Sequence, residues 1–567
     1  MIRKKIAELI REAYKGCKDK GIFIYDADIE PIVEIPRESD FGDYSTNIAF
    51  ILAPKLRKSP RDIANVLAEH IDSKGLCEKI DVAGKGFINF HIKDTVWRSG
   101  LKDLFEKGID AFMPHIGEGR RVLIEFVSAN PTGPLHIGHG RGAVVGDVLA
   151  NILSSVKYDV LREYYINDAG RQIATLGEST YLRLLEIKGE KIDFPDGLYK
   201  GEYIKDIAAM LIQMGIEIPD KRDDAIRFLS QFSSNIVMEG IKKDLLDFGV
   251  VFDSYFRETE LYQSGMVDDT IEGLRSRGIA YEKDGALWFK TGLFEKDEDR
   301  VLIKSDGEKT YFASDIAYHR NKIKRGYDTL IDIWGSDHHG YIPRLKASLE
   351  ALGEDRERLK VILIQFVTLL KDGKPIGMST RAGQFTTLRE VLDEVGRDAA
   401  RFFFLMRKSD AHLEFDLDLA KKTSNENPVY YVQYANARIE SIFRNAREQG
   451  ILIKGITEGT QQPFEGVASG KTDINIGLLK LREEMDLIKG IIHFYDVIEG
   501  SAKSLEPHRL TFYLIDLVGR FHSYYNKARI LNENSELTAA RLMLLYVLQK
   551  VIKYGLKILG VSAPDKM

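Results

Sequence analysis

The chain has 567 residues, of which 44% are hydrophobic and 29% charged, with a formal net charge of −5. That length exceeds what one hydrophobic core holds and implies roughly three to five domains, while the ordinary globular composition excludes a fibre or a wholly disordered chain. A negative balance gives no global attraction to nucleic acid, but phosphate affinity depends on local patches, so such a partner stays open. No apolar run approaches the ~20 residues of a membrane helix. The N-terminus, Met1-Ile-Arg-Lys-Lys-Ile-Ala-Glu-Leu, alternates charges with aliphatics at helical spacing and lacks the apolar stretch of a signal peptide. Cys17 and Cys77 supply neither a disulfide framework nor a metal set, which fits a reducing cytoplasm and no structural zinc.

In chain order, Val82-Ala-Gly-Lys-Gly-Phe-Ile-Asn-Phe-His reads as glycine-punctuated β-structure closing a first unit, residues 1–115. Residues 116–385 form a second. There an apolar β-rich run (122–127), a Pro/Gly loop, a helical stretch (142–153) and another β-rich run (158–166) make a strand–loop–helix–strand unit of a parallel α/β sheet. The signature recurs at 329–334, with a helical pattern from Ile342, and again from Val361. The stretch 170–285 between these halves is mainly helical, an insertion in a Rossmann-type nucleotide-binding fold. From Leu388 onward the chain reads as almost entirely helical, divided by a Gly/Gln/Ser-rich linker at 449–473 into a region 386–450 and a helix bundle 451–567. The expected architecture is an α/β parallel-sheet catalytic domain between an α+β N-terminal domain and an all-α C-terminal domain.

The loop after the first β-rich run reads Glu125-Phe-Val-Ser-Ala-Asn-Pro-Thr-Gly-Pro-Leu-His136-Ile-Gly-His139. In an α/β sheet, ligands bind beyond the carboxyl ends of strands, where helix N-termini present free N–H groups to anions. His136 and His139 stand there, three residues apart, and Gly138, Gly140 and Gly142 allow close backbone approach. They either donate to a polyphosphate as charge develops or simply cap a glycine-rich turn.

The segment Ser128 to His139 resembles the HIGH signature of class I aminoacyl-tRNA synthetases, in the extended form of the arginyl-tRNA synthetase family. The likeness continues through Ile35-Pro-Arg-Glu-Ser-Asp-Phe-Gly-Asp-Tyr-Ser-Thr-Asn47, Glu163-Tyr-Tyr-Ile-Asn-Asp-Ala-Gly-Arg-Gln, and Phe521-His-Ser-Tyr-Tyr-Asn with Gly560 to Met567. These blocks are similar to the family's tRNA-elbow domain, its post-signature segment and its DALR-type anticodon-binding domain. The resemblance implies a ligase that activates L-arginine with ATP and Mg2+ to arginyl-adenylate and passes it to the 3′ terminal adenosine of tRNA-Arg. It implies ATP contacts at Pro134, His136, Gly138, His139, Gly335, Met378 and Ser379. A cytoplasmic monomer is expected.

Selecting a guanidinium requires fixed carboxylates, its natural bidentate partners. The resemblance places arginine contacts at Glu125, Ser128, Asn130, His139, Tyr311 and Asp315, with a further one at Asp337 or His338. Tyr311 and Asp315 share a face if their segment is helical. Asp337, His338 and His339 point in different directions, so no metal site is expected from them.

The family's second signature, KMSKS, is altered. Lys374-Pro-Ile-Gly377-Met378-Ser379-Thr380-Arg381 keeps the Met and Ser but has glycine and threonine in place of the lysines. Stabilising the leaving pyrophosphate then falls to Arg381, Lys374 or Lys371. The same change motivates an alternative, a catalytically weakened synthetase-like tRNA-binding protein. Between Arg520 and Lys557 basic residues outnumber acids and enclose Tyr524 and Tyr525. Basic groups with stacking aromatics suit unpaired RNA bases, although a solvated helix face over core tyrosines reads the same way. Expected tRNA contacts are Asn47, Tyr524, Tyr525, Asn526, Arg529 and Met567, with an anchored C-terminus.

Overall fold

The computed structural model describes residues 2–25, 28–36, 38–376, 386–451, 453, 455–456 and 474–567. Its centre is a parallel sheet built from β1 (Arg121–Glu125), β2 (Asp159–Ile166), β3 (Ser254–Arg257), β4 (Thr329–Gly335) and β5 (Leu359–Ile364). All four pairings are parallel, and the strand order is β3-β2-β1-β4-β5. The chain therefore reverses its winding between β1 and β4, and the crevice beyond their carboxyl ends is where such sheets take ligands. Val122, Leu123 and Ile124 are wholly buried, as expected of a strand covered on both faces.

Helix α1 (Ile137–Ser155) leaves β1 through the signature loop and is buried nearly all round. Its polar residues are internal ties. Arg141 donates to the carbonyls of Gln365, Lys408 and Ala411, and Asp147 pairs with the enclosed Arg401, which also holds the carbonyl of Leu559. A Cβ at Gly146 would come within 2.3 Å of the Phe126 ring, so the helix packs directly onto the end of the strand.

Ahead of the sheet, a helix (Ile2–Asp19) covers a four-stranded antiparallel sheet that includes the hairpin Cys77–Ala83 and Phe87–Ile92. The insertion carries helices Arg171–Ile187, Glu202–Gln213 and Arg222–Asp247. The stretch 170–285 is mainly helical and the chain beyond Leu388 almost entirely so, as expected, but each also holds a short strand. The segment 170–285 contains β3, an edge strand of four residues too short to show a period, and it runs into a small antiparallel sheet ending at Ile303. Beyond Leu388 the chain also contributes a strand, Leu413–Asp416, parallel to Val367–Lys371. The C-terminal helices Pro428–Glu448, Arg482–Ser504, His508–Lys527 and Ser535–Leu559 form the bundle. Its last residues are tied back, with Asn436 Nδ2 donating to Pro564 O at 2.8 Å and Lys553 pairing with Asp565 at 2.9 Å. Among the described residues no helix is long and apolar enough to cross a membrane.

Candidate active site

The signature loop begins with two consecutive non-glycine residues in the left-handed region, Val127 (φ 68°) and Ser128 (φ 39°). Each such residue costs about 1–3 kcal/mol and persists only where its surroundings fix it. Ser128 Oγ donates to Glu125 Oε1 at 2.9 Å and accepts from Tyr165 N at 3.1 Å, while Tyr164 OH holds the carbonyl of Ala129 at 2.8 Å. Further on, Tyr203 OH donates to Thr132 O, and Asn130 Nδ2 to Gln172 Oε1 at 2.5 Å.

His136 caps α1. Its Nδ1 accepts from Gly138 N at 3.1 Å, and His139 Nδ1 accepts from His136 N at 3.3 Å. The rings stack with centroids 3.7 Å apart. Burial lowers the pKa of both, His139 to about 3 with His136 adding to the effect. Both are neutral near pH 7, and because each Nδ1 accepts, the proton sits on Nε2. Capping and an Nε2–H tautomer are therefore one arrangement at this helix N-terminus. Pro134 is half-buried on the same loop. Of the loop glycines, Gly138 lies against the His136 ring, whereas Gly140 serves packing, since a Cβ there would meet Leu388 at 2.7 Å. Gly142 has open space around its Cβ direction.

Helix α2 (Tyr311–Lys324) brings Tyr311 and Asp315 to its first turns, as their spacing implied. Tyr311 is exposed, with its hydroxyl close to Gly170. Asp315 accepts from Tyr341 OH at 2.5 Å, and burial raises its pKa. A further buried acid near Asp315 was not among the residues read from the sequence. Glu258 immediately follows β3, is buried, and is bonded by the Asn167 amide at 2.8 Å. Burial, then the charges of Asp315 and Asp168, push it up to about 7. The Tyr165 hydroxyl sits among Glu258, Asp315 and Glu125; burial and these charges raise its pKa far above the ordinary tyrosine value. Recognising β3 as a sheet strand would have exposed Glu258, because its position is the carboxyl end of that strand.

Glu125 is more committed than its sequence position suggested. Its Oε2 accepts from Lys322 Nζ at 2.5 Å, and Lys322 also holds Asp332 Oδ1 at 2.9 Å. Burial opposes the charge on Asp332, yet Lys322 and His319 hold its pKa down to about 2. Burial raises Glu125 and would neutralise Lys322, but the two carboxylates keep the ammonium charged. Gly335 ends β4, and the exposed Asp337 and His338 lie on the short turn after it, 3.7 Å apart and separate from the Asp315 hydrogen bond, which Tyr341 of the same turn makes.

Lys374 lies in a two-residue strand, exposed, and Lys371 pairs with Glu394 at 3.2 Å. Gly377, Met378, Ser379, Thr380 and Arg381 fall outside the described residues. Among the described residues no group of three or more His, Cys, Asp or Glu could hold a metal ion.

At the far end of the bundle one expected contact is overturned. Tyr524 is wholly buried, 3.3 Å from Glu484, because its helical phase turns it into the core, so it cannot stack on a base. Tyr525 is exposed, with the Arg438 guanidinium 4.7 Å from its ring and the same distance from the Tyr434 ring on the neighbouring helix. Asn526, Arg529 and Met567 are exposed, and Asn47 is half-buried at the start of helix Ile48–Leu56.

Comparison with known proteins is consistent along the chain. Residues 1–92 match the arginyl tRNA synthetase N-terminal domain, residues 104–413 the class I (R) tRNA synthetase catalytic domain, and residues 432–567 the DALR anticodon binding domain. The arginine–tRNA ligase of Citrifermentans bemidjiense is 48% identical over 571 aligned residues covering 100% of both chains. That of Carboxydothermus hydrogenoformans is 46% identical over 540, covering 94% of each. A Thermus thermophilus arginyl-tRNA synthetase structure shares the fold over 100% of both chains, with a TM-score of 0.78 at 22% identity. Full-length identity at this level, on a sheet that places the signature loop at its switch point, means that the chain belongs to the arginyl-tRNA synthetase family of class I enzymes.

Proposed function

We propose that the chain ligates L-arginine to tRNA-Arg, and that the residues around the β1/β4 crevice do so as follows. The arginine carboxylate attacks the α-phosphorus of ATP, giving arginyl-adenylate and pyrophosphate. The terminal ribose hydroxyl of the tRNA then displaces AMP from the adenylate. His136 and His139 donate their Nε2–H groups toward the phosphates, where preorganised donors stabilise charge that develops in the transition state. Gly138, Pro134 and Gly335 frame the nucleotide. Glu258 and Asp315, with the Tyr165 and Tyr311 hydroxyls, receive the guanidinium. Ser128 and Asn130 belong to the loop that faces the reacting end, with Glu125 behind them, and Asp337 or His338 adds a contact from the turn after β4.

The pairing of a doubly acidic pocket with two neutral, N-capping histidines beyond the carboxyl ends of one parallel sheet carries this reading. Mg2+ would travel with the ATP phosphates and water. Met378 and Ser379 take the second-signature role, and Arg381, Lys374 or Lys371 supplies its positive charge. On the tRNA side, residues 1–115 meet the elbow through Asn47, residues 116–385 hold the acceptor end, residues 386–450 face the stem, and residues 451–567 read the anticodon. Tyr525, Asn526, Arg529 and Met567 remain the bundle's contacts, and Arg438 and Tyr434 replace Tyr524. The protein acts as a cytoplasmic monomer. Arginine-dependent pyrophosphate exchange with tRNA present tests the reading. Robust exchange is expected; tRNA binding without exchange would support a weakened synthetase-like binder instead.

A further inference from the structure

The strained turn at Val127–Ser128 launches both Asn130 and the histidine pair, and among the bonds that fix it one hydroxyl and one carboxylate link it to the sheet. Ser128 Oγ bridges Glu125 Oε1 and Tyr165 N. The other Glu125 oxygen accepts from Lys322 Nζ at 2.5 Å. Lys322 is wholly enclosed, with Asp332 Oδ1 at 2.9 Å and the Tyr318 ring at 4.3 Å, and its bonds reach the loop only by way of Glu125. Burying an ammonium between two carboxylates gives no obvious gain over an apolar packing of equal volume. Glu125 and Asp332 occupy paired register positions on β1 and β4 and sit beneath the crevice. Fold stability alone therefore does not account for the cluster, whereas a rigid carboxylate under the loop does.

We propose that Lys322 is a positioning residue for the reaction: acting through Glu125, it locks the Val127–Ser128 turn and so sets where Asn130, His136 and His139 stand relative to Glu258 and Asp315. The proposal rests on the arginine-ligation reading above. It also reassigns Glu125 from guanidinium acceptor to strut, leaving Glu258 and Asp315 as the acids of the pocket.

The charged and titratable groups that face the ammonium are Glu125 on β1, Glu163 on β2, Asp332 on β4, and Asp315, Tyr318 and His319 on α2. Without the cation, Glu125 and Asp332 stand together with only His319, bonded to Asp332, to offset them, and the pair takes up a proton. A protonated Glu125 no longer holds the Ser128 hydroxyl in a fixed orientation. The loop then loses its lock below the pKa of the pair and regains it as that proton leaves at higher pH.

The test uses the full chain as Lys322→Met, Lys322→Arg and Ser128→Ala, with tRNA charging by arginine followed from about pH 6 to about pH 9. Misplacing catalytic groups by about 1 Å costs on the order of a hundredfold, so Lys322→Met should lose about that much kcat while its ATP KM stays within about threefold. Its kcat at saturating arginine should rise with pH where the native kcat is level. Lys322→Arg, which restores the charge, should recover at least about tenfold over Lys322→Met and remove the pH dependence. Ser128→Ala leaves the ion cluster intact and should lower kcat about tenfold with an unchanged melting temperature; loss of a substrate contact would raise the arginine KM instead. A folded Lys322→Met with kcat within about threefold of native and no new pH dependence overturns the proposal. If Lys322→Met fails to fold, a Ser128→Ala kcat within about twofold of native overturns it. Failure of the native chain to charge arginine at all would overturn the functional reading, which keeps the two failures separate.

Discussion

Around Lys322 in the catalytic sheet and around Arg541 in the C-terminal bundle, a basic side chain is enclosed with a glutamate, but the two burials end differently. Glu484 accepts from Arg541 Nε at 2.9 Å, Tyr524 OH at 3.3 Å and Leu481 N at 3.0 Å, and Arg541 donates onward to Arg529 O. Every bond of that set stays inside the bundle. Around Lys322 the chain of bonds continues through Glu125 and Ser128 to a strained turn at the mouth of a crevice. The same pair of charges is a tie in one place and a strut for chemistry in the other. What distinguishes them is the position of the glutamate at the carboxyl end of a parallel strand.

Five substitutions sharpen or break this contrast. Arg541→Met leaves Glu484 buried without its cation, and losing one partner of such a pair costs about 3–5 kcal/mol. Denaturant unfolding should show that loss while kcat of the folded fraction is unchanged; a specific loss of tRNA affinity at full stability would make Arg541 an RNA contact instead of a tie. His139→Ala should reverse the pattern, lowering kcat about 10²–10³-fold with little change in stability. Because burial holds the pKa of His139 down to about 3, the native kcat should show no ionisation of His139 between about pH 5.5 and pH 8.

Glu258→Gln comes next, with the arginine KM raised on the order of thirtyfold, the scale of one charge-assisted hydrogen bond. A guanidinium favours the ionised carboxylate, so binding releases the proton that Glu258 carries below about pH 7. The native arginine KM should therefore fall as pH rises through 7, and that dependence should vanish in Glu258→Gln. A native KM indifferent to pH would remove Glu258 from the pocket. The smallest effects lie at the RNA end. Tyr525→Ala should raise the tRNA KM about tenfold, the scale of one base stack. Tyr524→Phe should leave it within about twofold, because that hydroxyl faces Glu484 inside the core.

The architecture was legible wherever an element was long. The strands at β1, β2, β4 and β5 and helix α1 showed their periods in the sequence, and the His136/His139 segment was placed at the start of α1, where the structure has it. Short elements hid what followed them. β3 has four residues, and missing it concealed Glu258, an acid visible in the sequence but without a place. The two tyrosines at 524 and 525 are equivalent as residue types; only the helical phase of His508–Lys527 decides that one is core and its neighbour surface. Lys322 reads as one more cation near the end of a helix, and its enclosure between Glu125 and Asp332 depends on strand pairing, which no local pattern records.

The most direct measurement is charging of tRNA with each amino acid in turn by the purified full-length chain. The account predicts acylation by arginine and not by lysine, because only a planar fork of donors satisfies the Glu258 and Asp315 carboxylates together. Acylation by glutamine, glutamate or cysteine in place of arginine would contradict it.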